Sequence, residues 1–420
     1  MQALTVSLAL VVALLASQLL KFWLAGRQAR SVRRHRASVP APFSASVPLE
    51  KHQLAADYTL ARLRFGMSTE TVGAVLLLAW TLLGGLDVLN ALVRDAVQPR
   101  FGDLAYQLAL VGAFAVIGGL IDLPLEWYRV FRLEQRFGFN RMTPALFLSD
   151  LAKGLVLSIV IGGPLLALVL WVMQAAGAWW WVWAWAIWSG FVLLMQVVYP
   201  TWIAPWFNRF EPLADASMAE RVQALMARCG FKSKGLFVMN GSLRSSHVNA
   251  YFGGLGRAKR VVLFDTLLAR LGGREVEAVL AHELGHFHHK HVLFMTLRGF
   301  AMGFVTLAVL GWLKNQPTFY VGLGVGPNLT APNDALALLL FLLTAPPFLF
   351  FLSPLSARWS RRAEFEADAF ARAQTDGADL ASALLKLHED NGSTLTPDPV
   401  YARFYYSHPP ASERLAALKT

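Results

Sequence analysis

Seven stretches of apolar residues constrain the fold of this chain more than any other feature of its sequence. A helix needs roughly 20 apolar residues to cross the hydrocarbon core of a bilayer. The stretches occupy residues 4–24, 71–93, 104–125, 151–174, 179–199, 292–313 and 335–355. Charged residues make up only 15% of the 420-residue chain, whereas a soluble domain has about 25%. The sequence therefore predicts a mainly α membrane protein with seven transmembrane helices.

The basic residues predict how these helices are oriented. Six basic residues lie at the end of the first apolar stretch or soon after it: Lys21, Arg27, Arg30, Arg33, Arg34 and Arg36. Positive charge beside a span retains a loop in the cytoplasm, so we expect an extracytoplasmic N-terminus and a cytoplasmic C-terminus. The net charge of +11 is assigned to this role and not to nucleic-acid binding, because no RNA- or DNA-binding motif accompanies it.

Two polar blocks interrupt the apolar stretches. They occupy residues 200–291 and 356–420, and the predicted orientation puts both in the cytoplasm. We therefore expect five transmembrane helices over 1–199, the first part of a cytoplasmic domain over 200–291, spans six and seven over 292–355, and the second part of the domain over 356–420.

A histidine cluster lies at the boundary between the first polar block and the sixth span. The sequence HELGHFHHKH holds five of the ten histidines. Apolar residues in 275–291 recur at three- and four-residue spacing, which predicts a helix. On a helix His282 and His286 share one face, and Glu283 lies beside them where it can hold a water molecule, which is the content of the H-E-x-x-H zinc motif. The pattern by itself also fits a polar helix face with hydrogen-bonded histidines.

A third zinc ligand has to come from outside this helix. His289 follows His282 by two turns, which rise about 10.5 Å, whereas Zn–N bonds are about 2.0–2.1 Å long. We interpret His288, His289 and His291 as interfacial or supporting groups. The single Cys229 excludes a four-cysteine zinc site.

A second helical stretch, SARWSRRAEFEADAFARA at residues 356–373, offers carboxylates. Glu364 and Asp368 are four residues apart and share a helix face, while Glu366 points away. One carboxylate that binds the metal and another that orients a ligating imidazole are a usual pair at zinc sites. An exposed helix whose acids pair with its own arginines fits the same residues equally well.

Two further segments carry candidate site residues. NAYF and VVLF, between residues 249 and 264, predict two strands joined by a Gly-rich turn; such a strand can pair with an extended peptide or belong to a structural hairpin. YYSHPPASERL, at residues 405–415, holds His408 in a turn before two prolines. A rigidly held histidine can stabilise an oxyanion or have only a structural role.

The combination of motifs resembles the type-one CAAX prenyl proteases, the membrane zinc metallopeptidase family that includes the yeast a-factor-converting enzyme. Besides HELGH, the resembling stretches in family order are LPLEWYRVFRLEQRFGFNRMT, IAPWFNRFEPL, RSSHVNAYF, KRVVLFDTLL, SRRAEFEADAFA and YSHPPASERL. They cover the chain from about residue 50 to its end.

The resemblance implies an enzyme, a zinc-dependent endopeptidase that cleaves near the C-terminus of CAAX or hydrophobic, unfolded peptides. It implies one Zn²⁺ ion held by His282, His286 and Glu364, with Glu283 as the general base. Asp368 is expected to support the metal ligands. In this family the seven helices enclose an intramembrane chamber, and we expect a small α+β, zincin-like catalytic domain on its cytoplasmic side.

The resemblance also implies how substrate is held. Asn249, Ala250 and Tyr251 would bind substrate backbone, and His408 and Arg414 would assist. Expected partners are a peptide or protein substrate, with or without a prenyl group, and the lipid bilayer, with no nucleic acid and no obligate protein partner.

One departure from the family concerns origin. Eukaryotic members often carry a long acidic insertion before the zinc helix, and here only ARLGGREVEAVLA intervenes. We therefore expect a multi-pass protein of a bacterial inner membrane, or of the endoplasmic reticulum membrane if the source is eukaryotic. Prenylated CAAX proteins need not be its natural substrates in a bacterium.

Two other functions compete with this interpretation. An intramembrane-cleaving metalloprotease places H-E-x-x-H within a span, whereas here charged residues precede the motif. A transporter with incidental histidines is suggested by Asp87, Asp122 and Lys153, which lie near span ends. Stoichiometric zinc with chelator-sensitive peptide cleavage distinguishes a peptidase from a transporter.

Overall fold

The computed structural model describes residues 2–231, 235–253 and 260–419. Its first half contains α1 (Ala3–His35), α2 (Leu49–Trp80), α3 (Gly85–Tyr128), α4 (Pro144–Leu157), α5 (Gly163–Ala175), α6 (Trp180–Val198), α7 (Ala204–Phe207), β1 (Phe210–Pro212) and α8 (Ala216–Arg228). Its second half contains β2 (Leu236–Met239), β3 (Ala250–Gly253), β4 (Arg260–Phe264), α9 (Asp265–Arg270), α10 (Gly273–His288), α11 (His291–Leu313), α12 (Pro317–Gly322), α13 (Asp334–Leu349), α14 (Ser353–Gln374), α15 (Gly377–Asp390), α16 (Pro399–Tyr405) and α17 (Ala411–Lys419).

Six helical stretches within the described residues are long and apolar enough to cross a membrane. They are Ala3–His35, Gly85–Glu134, Pro144–Ala175, Gly177–Phe207, His291–Leu313 and Asp334–Gln374. Each contains one of the predicted spans. An apolar segment in lipid forms a helix because a helix satisfies every backbone hydrogen bond within the segment itself. The protein is a mainly helical, multi-pass membrane protein.

The prediction of one helix over 71–93 is wrong. α2 ends at Trp80, and α3 begins at Gly85 after a turn in which Gly84 has a φ of 78°. A glycine adopts this left-handed conformation without steric cost. A Cβ on Gly85 would lie 2.6 Å from the carbonyl oxygen of Ala79, so the turn is also too tight for a larger residue. The Gly84–Gly85 pair was the sequence signal for this break.

Small residues let two of the membrane helices approach closely. On α11, a Cβ at Gly303 would lie 2.5 Å from the ring of Trp188 on α6, and one at Gly311 would lie 2.8 Å from the ring of Trp181. Close packing of this kind replaces the hydrophobic effect, which does not drive helix association within lipid. It positions α11, the span that directly follows the zinc-motif helix.

The polar segments form a small α+β unit at one end of the helices. Its sheet has the order β1-β2-β4-β3, with β2 and β4 parallel and the other pairs antiparallel. Buried residues of both polar blocks share one hydrophobic cluster, which includes Val222, Leu263, Val279, Ala371, Leu384 and Leu418. The two blocks therefore pack on a common core although three helices separate them in sequence.

The basic end of α1 contacts the same α+β unit. Arg27 Nε donates to Asp398 Oδ1 at 3.1 Å, and Ser31 Oγ donates to the carbonyl of Thr396 at 3.1 Å. The positively charged end of the first span and the second polar block consequently lie on one side of the membrane.

Candidate active site

Helix α10 is fixed at its start and along its apolar face. Glu275 Oε2 accepts the N–H of Gly272 at 2.8 Å and also binds Lys386 Nζ at 2.7 Å. Val276 and Leu280 are buried in the core of the α+β unit. The helical repeat puts His282 and His286 on one face, as the spacing predicts, and this anchoring sets the direction in which that face points. The predicted helix over 275–291 ends earlier, at His288.

Three side chains converge with the spacing that a metal ion requires. The Nε2 atoms of His282 and His286 are 3.3 Å apart, and each lies 3.4 Å from an oxygen of Glu364. Two ligands bound tetrahedrally at about 2.0–2.1 Å are themselves about 3.3–3.4 Å apart. Oxygen Oε2 of Glu364 is buried without a hydrogen-bond partner, and a metal ion would satisfy it. These residues therefore fit a zinc ion.

Glu283 lies beside these three residues and lines one cavity together with His282 and Glu364. Burial raises the pKa of its carboxyl above the ordinary value, although the imidazoles of His282 and His286 oppose the shift. A carboxylate with a raised pKa accepts a proton more readily at neutral pH. Position and basicity both suit a general base.

Asp368 and Arg414 fix the orientation of His282. Asp368 Oδ1 is 2.8 Å from His282 Nδ1, and Arg414 Nε donates to Asp368 Oδ2 at 2.8 Å. A second nitrogen of Arg414 binds Asp368 Oδ1 at 2.5 Å, so the pair is bidentate. With Nδ1–H donated to Asp368, the Nε2 lone pair of His282 is free to face a metal.

His408 reaches the same group from the turn before α17. Its Nε2 is 3.4 Å from Glu364 Oε1, and its Nδ1 is 2.9 Å from Ser407 Oγ. Burial lowers the pKa of His408, while the charge of Glu364 opposes this effect. The proline-fixed turn thus holds this histidine at the edge of the predicted ligand set.

Two of the predicted substrate-binding residues, Ala250 and Tyr251, lie on the edge strand of the described sheet, and Asn249 directly precedes it. β3 pairs with β4 through Ala250 and its neighbours, which leaves the other edge of β3 available for pairing. Asn249 and Ala250 line the cavity. The ring of Tyr251 packs edge-on against Phe264 with centroids 6.2 Å apart. An edge of this kind can take up an extended peptide.

Asn391 was missed by the sequence reasoning. Its Oδ1 accepts the N–H of Val248 at 2.9 Å, and its Nδ2 donates to the carbonyl of Val248 at 3.3 Å. One side chain therefore holds both backbone groups of the residue that precedes Asn249. The sequence around Asn391 contains only an ordinary Asn-Gly turn, so no local signal indicates this contact.

A cavity of about 1040 Å³ connects these groups. Its lining extends from Glu283 and His408 to Phe22 on α1 and Arg62 and Met67 on α2. A second cavity, of about 400 Å³, lies between α1, α2, α3 and α13, and shares two lining residues, Lys21 and Glu70, with the first. The two cavities thus reach from the candidate metal ligands toward the membrane helices.

The remaining histidines of the cluster divide into two kinds. His288 and His289 are exposed, and His288 stacks on Phe370 with ring centroids 4.8 Å apart. His291 instead contacts His286, and its other nitrogen contacts Glu366. Glu366 does not belong to the ligand group, as its helical offset predicts, but the sequence did not reveal its partner.

Two of the three residues that suggested a transporter, Asp87 and Lys153, have structural partners, and the third, Asp122, lines the second cavity. Asp87 Oδ1 accepts the N–H of Gly326 at 2.8 Å, and Lys153 Nζ donates to the carbonyl of Trp206 at 2.9 Å. Asp87 therefore fastens a loop to the start of α3, and Lys153 joins α4 to α7.

Comparison with known proteins agrees with this site. Residues 28–209 match the CAAX prenyl protease N-terminal family, described as five membrane helices, and residues 212–420 match peptidase family M48. A CAAX prenyl protease 1 homolog of Oryza sativa subsp. japonica is 33% identical over 405 residues, which cover 92% of each chain. CAAX prenyl protease 1 of Saccharomyces cerevisiae is 35% identical over 344 residues, which cover 77% of this chain and 75% of that one.

A solved structure resembles the whole chain. The crystal structure of S. mikatae Ste24p aligns with a TM-score of 0.92 at 29% sequence identity and covers 99% of both chains. The likeness therefore includes the membrane helices and the α+β unit together. The chain belongs to peptidase family M48, as a membrane zinc metalloendopeptidase of the CAAX prenyl protease 1 type.

Proposed function

We propose that His282, His286 and Glu364 hold the single zinc ion and that Glu283 is the general base. The observation that supports this most strongly is the spacing of the candidate ligand atoms: the two Nε2 atoms are 3.3 Å apart, and each lies 3.4 Å from a different oxygen of Glu364. The buried Oε2 of Glu364 also supports it, because this oxygen makes no hydrogen bond among the described residues, although Arg414 Nη1 lies 3.5 Å away.

The proposed reaction is hydrolysis of a peptide bond. A bound zinc ion supplies a Lewis acid that polarises the scissile carbonyl and acidifies water. Glu283 takes a proton from the attacking water and passes it to the leaving amine. His408 donates a hydrogen bond to the developing oxyanion. Asp368 and Arg414 keep His282 in the orientation that the reaction requires.

We propose that the substrate is an extended peptide held along β3 by Asn249, Ala250 and Tyr251. Backbone pairing at a strand edge carries little side-chain information, so hydrophobic or unfolded peptides would be accepted. The relatives are named CAAX prenyl proteases, and we propose that this chain cleaves CAAX peptides near the C-terminus, with or without a prenyl group. Each buried CH₂ group of such a chain adds about 0.8 kcal/mol.

We propose that α2 is a seventh membrane span. Its 32 residues give a length of about 48 Å, more than the roughly 30 Å of a bilayer core. Leu77, in its apolar second half, shares a hydrophobic cluster with Leu10 and Leu14 of α1. The seven helices would then enclose the chamber that the two cavities occupy in part.

We propose that the zincin-like catalytic domain is cytoplasmic and consists of residues 200–291 and 356–420. The shared core and the contact between the basic end of α1 and Asp398 support this arrangement, because positive charge retains a loop in the cytoplasm. The short segment between β4 and α10 keeps a bacterial inner membrane as the proposed location.

Metal analysis and peptide cleavage by the purified protein test the proposal together. Glu283→Gln should keep one zinc per chain and lose at least about 100-fold in cleavage rate. Glu277→Gln is the matched control, since Glu277 lies on the same helix and pairs with Arg228; its rate should equal that of the wild type. Loss of zinc from Glu283→Gln would show that Glu283 is a ligand and that the roles are wrong.

A pair of peptides tests the substrate class. A farnesylated CAAX peptide and its unfarnesylated form should both be cleaved, with the farnesylated form preferred. Activity on the unfarnesylated peptide no higher than that of Glu283→Gln, across several sequences, would make the lipid the recognised element and refute recognition through the backbone.

A further inference from the structure

The two candidate histidine ligands are held in different ways at their second ring nitrogen. For His282 the partner is the carboxylate of Asp368. For His286 the partner is another histidine, because the Nδ1 atoms of His286 and His291 are 3.0 Å apart. His291 Nε2 in turn lies 2.9 Å from Glu366 Oε2. We name the sequence of contacts His286, His291 and Glu366 the His291 bridge.

Only one arrangement of protons satisfies the His291 bridge. A neutral imidazole that presents Nε2 to a metal carries its proton on Nδ1. His286 then donates from Nδ1 to Nδ1 of His291, so His291 carries its own proton on Nε2. That proton is donated to Glu366, an acceptor when ionised. Each residue of the bridge therefore determines the tautomer of the next. The ionised Glu366 carboxylate can only accept, so it determines which atom donates in both hydrogen bonds.

The position of Glu366 explains why a histidine is needed between the carboxylate and the ligand. Glu364, Glu366 and Asp368 follow one another along α14, and Glu366 is turned away from the face that carries the other two. Its oxygen Oε1 accepts a hydrogen bond from Arg362 Nε at 2.9 Å. This bond holds the Glu366 carboxylate away from the face that carries Glu364 and Asp368. His291 spans the remaining distance between α14 and His286.

The backbone before His291 is strained, and this strained turn places the His291 ring beside His286. Lys290 has a φ of 56°, and among the described residues it is the only non-glycine residue whose φ is positive. A left-handed conformation costs a residue with a Cβ about 1–2 kcal/mol, and it persists only where surrounding contacts require it. The turn ends α10 and starts α11 at His291, whose ring thereby returns to His286.

We propose that His291 and Glu366 are positioning residues that orient His286 for zinc. Because His291 is the first residue of α11, the His291 bridge also links the metal site to that span. The proposal rests on the proposed assignment of His286 as a zinc ligand. Loss of such a partner typically weakens metal affinity or activity by 10–100-fold.

Zinc affinity of the purified protein, measured by competition with a chromophoric chelator at constant pH, tests the bridge. His291→Ala should weaken zinc binding by about 10–100-fold. Glu366→Ala should weaken it by a smaller factor, and Glu366→Gln should restore part of the loss because its amide oxygen still accepts a hydrogen bond. His288→Ala is the control, since His288 is exposed and stacks on Phe370; its zinc affinity should be unchanged.

A double-variant comparison separates this proposal from the ligand assignment. His286→Ala should lose zinc on its own, and adding His291→Ala to it should cause no further loss, because His291 acts only through His286. Retention of zinc by His286→Ala would refute the ligand assignment. Loss of zinc by His286→Ala together with wild-type affinity in His291→Ala would refute the bridge alone.

A spectroscopic measurement distinguishes loss of the His291 bridge from unfolding of the variant. With Co²⁺ in place of zinc, the visible absorption bands of Glu366→Ala should shift while its helical content and elution profile stay those of the wild type. Glu366 is partly exposed and lies outside the core, so this variant is expected to fold. Bands identical to those of His288→Ala would overturn the proposal.

Discussion

Gly285, in the middle of the H-E-x-x-H motif, should tolerate no side chain. It lies where α10 crosses α14, and a Cβ at this position would be 2.9 Å from Ala367 Cα and 3.1 Å from the Ala367 carbonyl oxygen. Carbon atoms pack best at about 3.5–4.0 Å. Since the obstacle is backbone, Gly285→Ala can be accommodated only if the two helices separate by roughly 0.5–1 Å.

The separation acts directly on the metal site, because α10 carries His282 and His286 while α14 carries Glu364. Metal–ligand distances tolerate about 0.2 Å, and overpacking costs about 1–3 kcal/mol. At about 1.4 kcal/mol per factor of ten, zinc affinity should fall by about 10–100-fold. The gain in helix propensity from Gly to Ala, about 0.5–1 kcal/mol, stabilises α10 itself and does not restore the ligand geometry.

Chelator competition on the purified variant measures this loss. Gly273→Ala is the matched control on the same helix, because a Cβ there would meet Met218 Cε at 3.6 Å, an ordinary contact. Gly273→Ala should bind zinc as the wild type does. If Gly285→Ala did the same, the close approach of α10 and α14 would not determine the spacing of the ligands.

Three further predictions follow from single contacts. Asn391→Ala removes both partners of the Val248 backbone; at about 1 kcal/mol per hydrogen bond the loss is about 2 kcal/mol, so KM for an extended peptide should rise by up to about 30-fold. Steady-state kinetics in which kcat changes more than KM would contradict this. Burial lowers the pKa of His388 to about 4, so the folded state binds fewer protons than the unfolded state and the free energy of unfolding should fall as pH drops from about 6.5 to 4, by up to about 3 kcal/mol. Thermal unfolding of His388→Leu should lack this part of the decline, and parallel curves for the two proteins would show that His388 is not its source. Reporter fusions at Met1 and Thr420 should place the termini on opposite sides of the membrane, whereas the same result from both would exclude seven spans.

Local features of the sequence determined much of the membrane region and half of the site. Six predicted spans coincide with helices, because a long apolar run has no other way to satisfy its backbone in lipid. The pairing of His282 with His286 follows from the helical repeat alone. The error at 71–93 also arose locally, because the apolar run continues on both sides of Gly84–Gly85 and the prediction did not treat that glycine pair as a turn.

The tertiary structure decided which distant residues complete the site. The residues of α14 fitted an exposed helix as well as a metal ligand, and only the packing of α14 on α10 brings Glu364 to the two histidines. Arg414 reaches His282 from 132 residues away in sequence. Glu366, judged by its offset alone to point away, gains a partner because the strained turn at Lys290 brings His291 back. Periodicity describes one helix at a time, whereas contacts between helices depend on how close their backbones approach, and that distance is a property of the packed core.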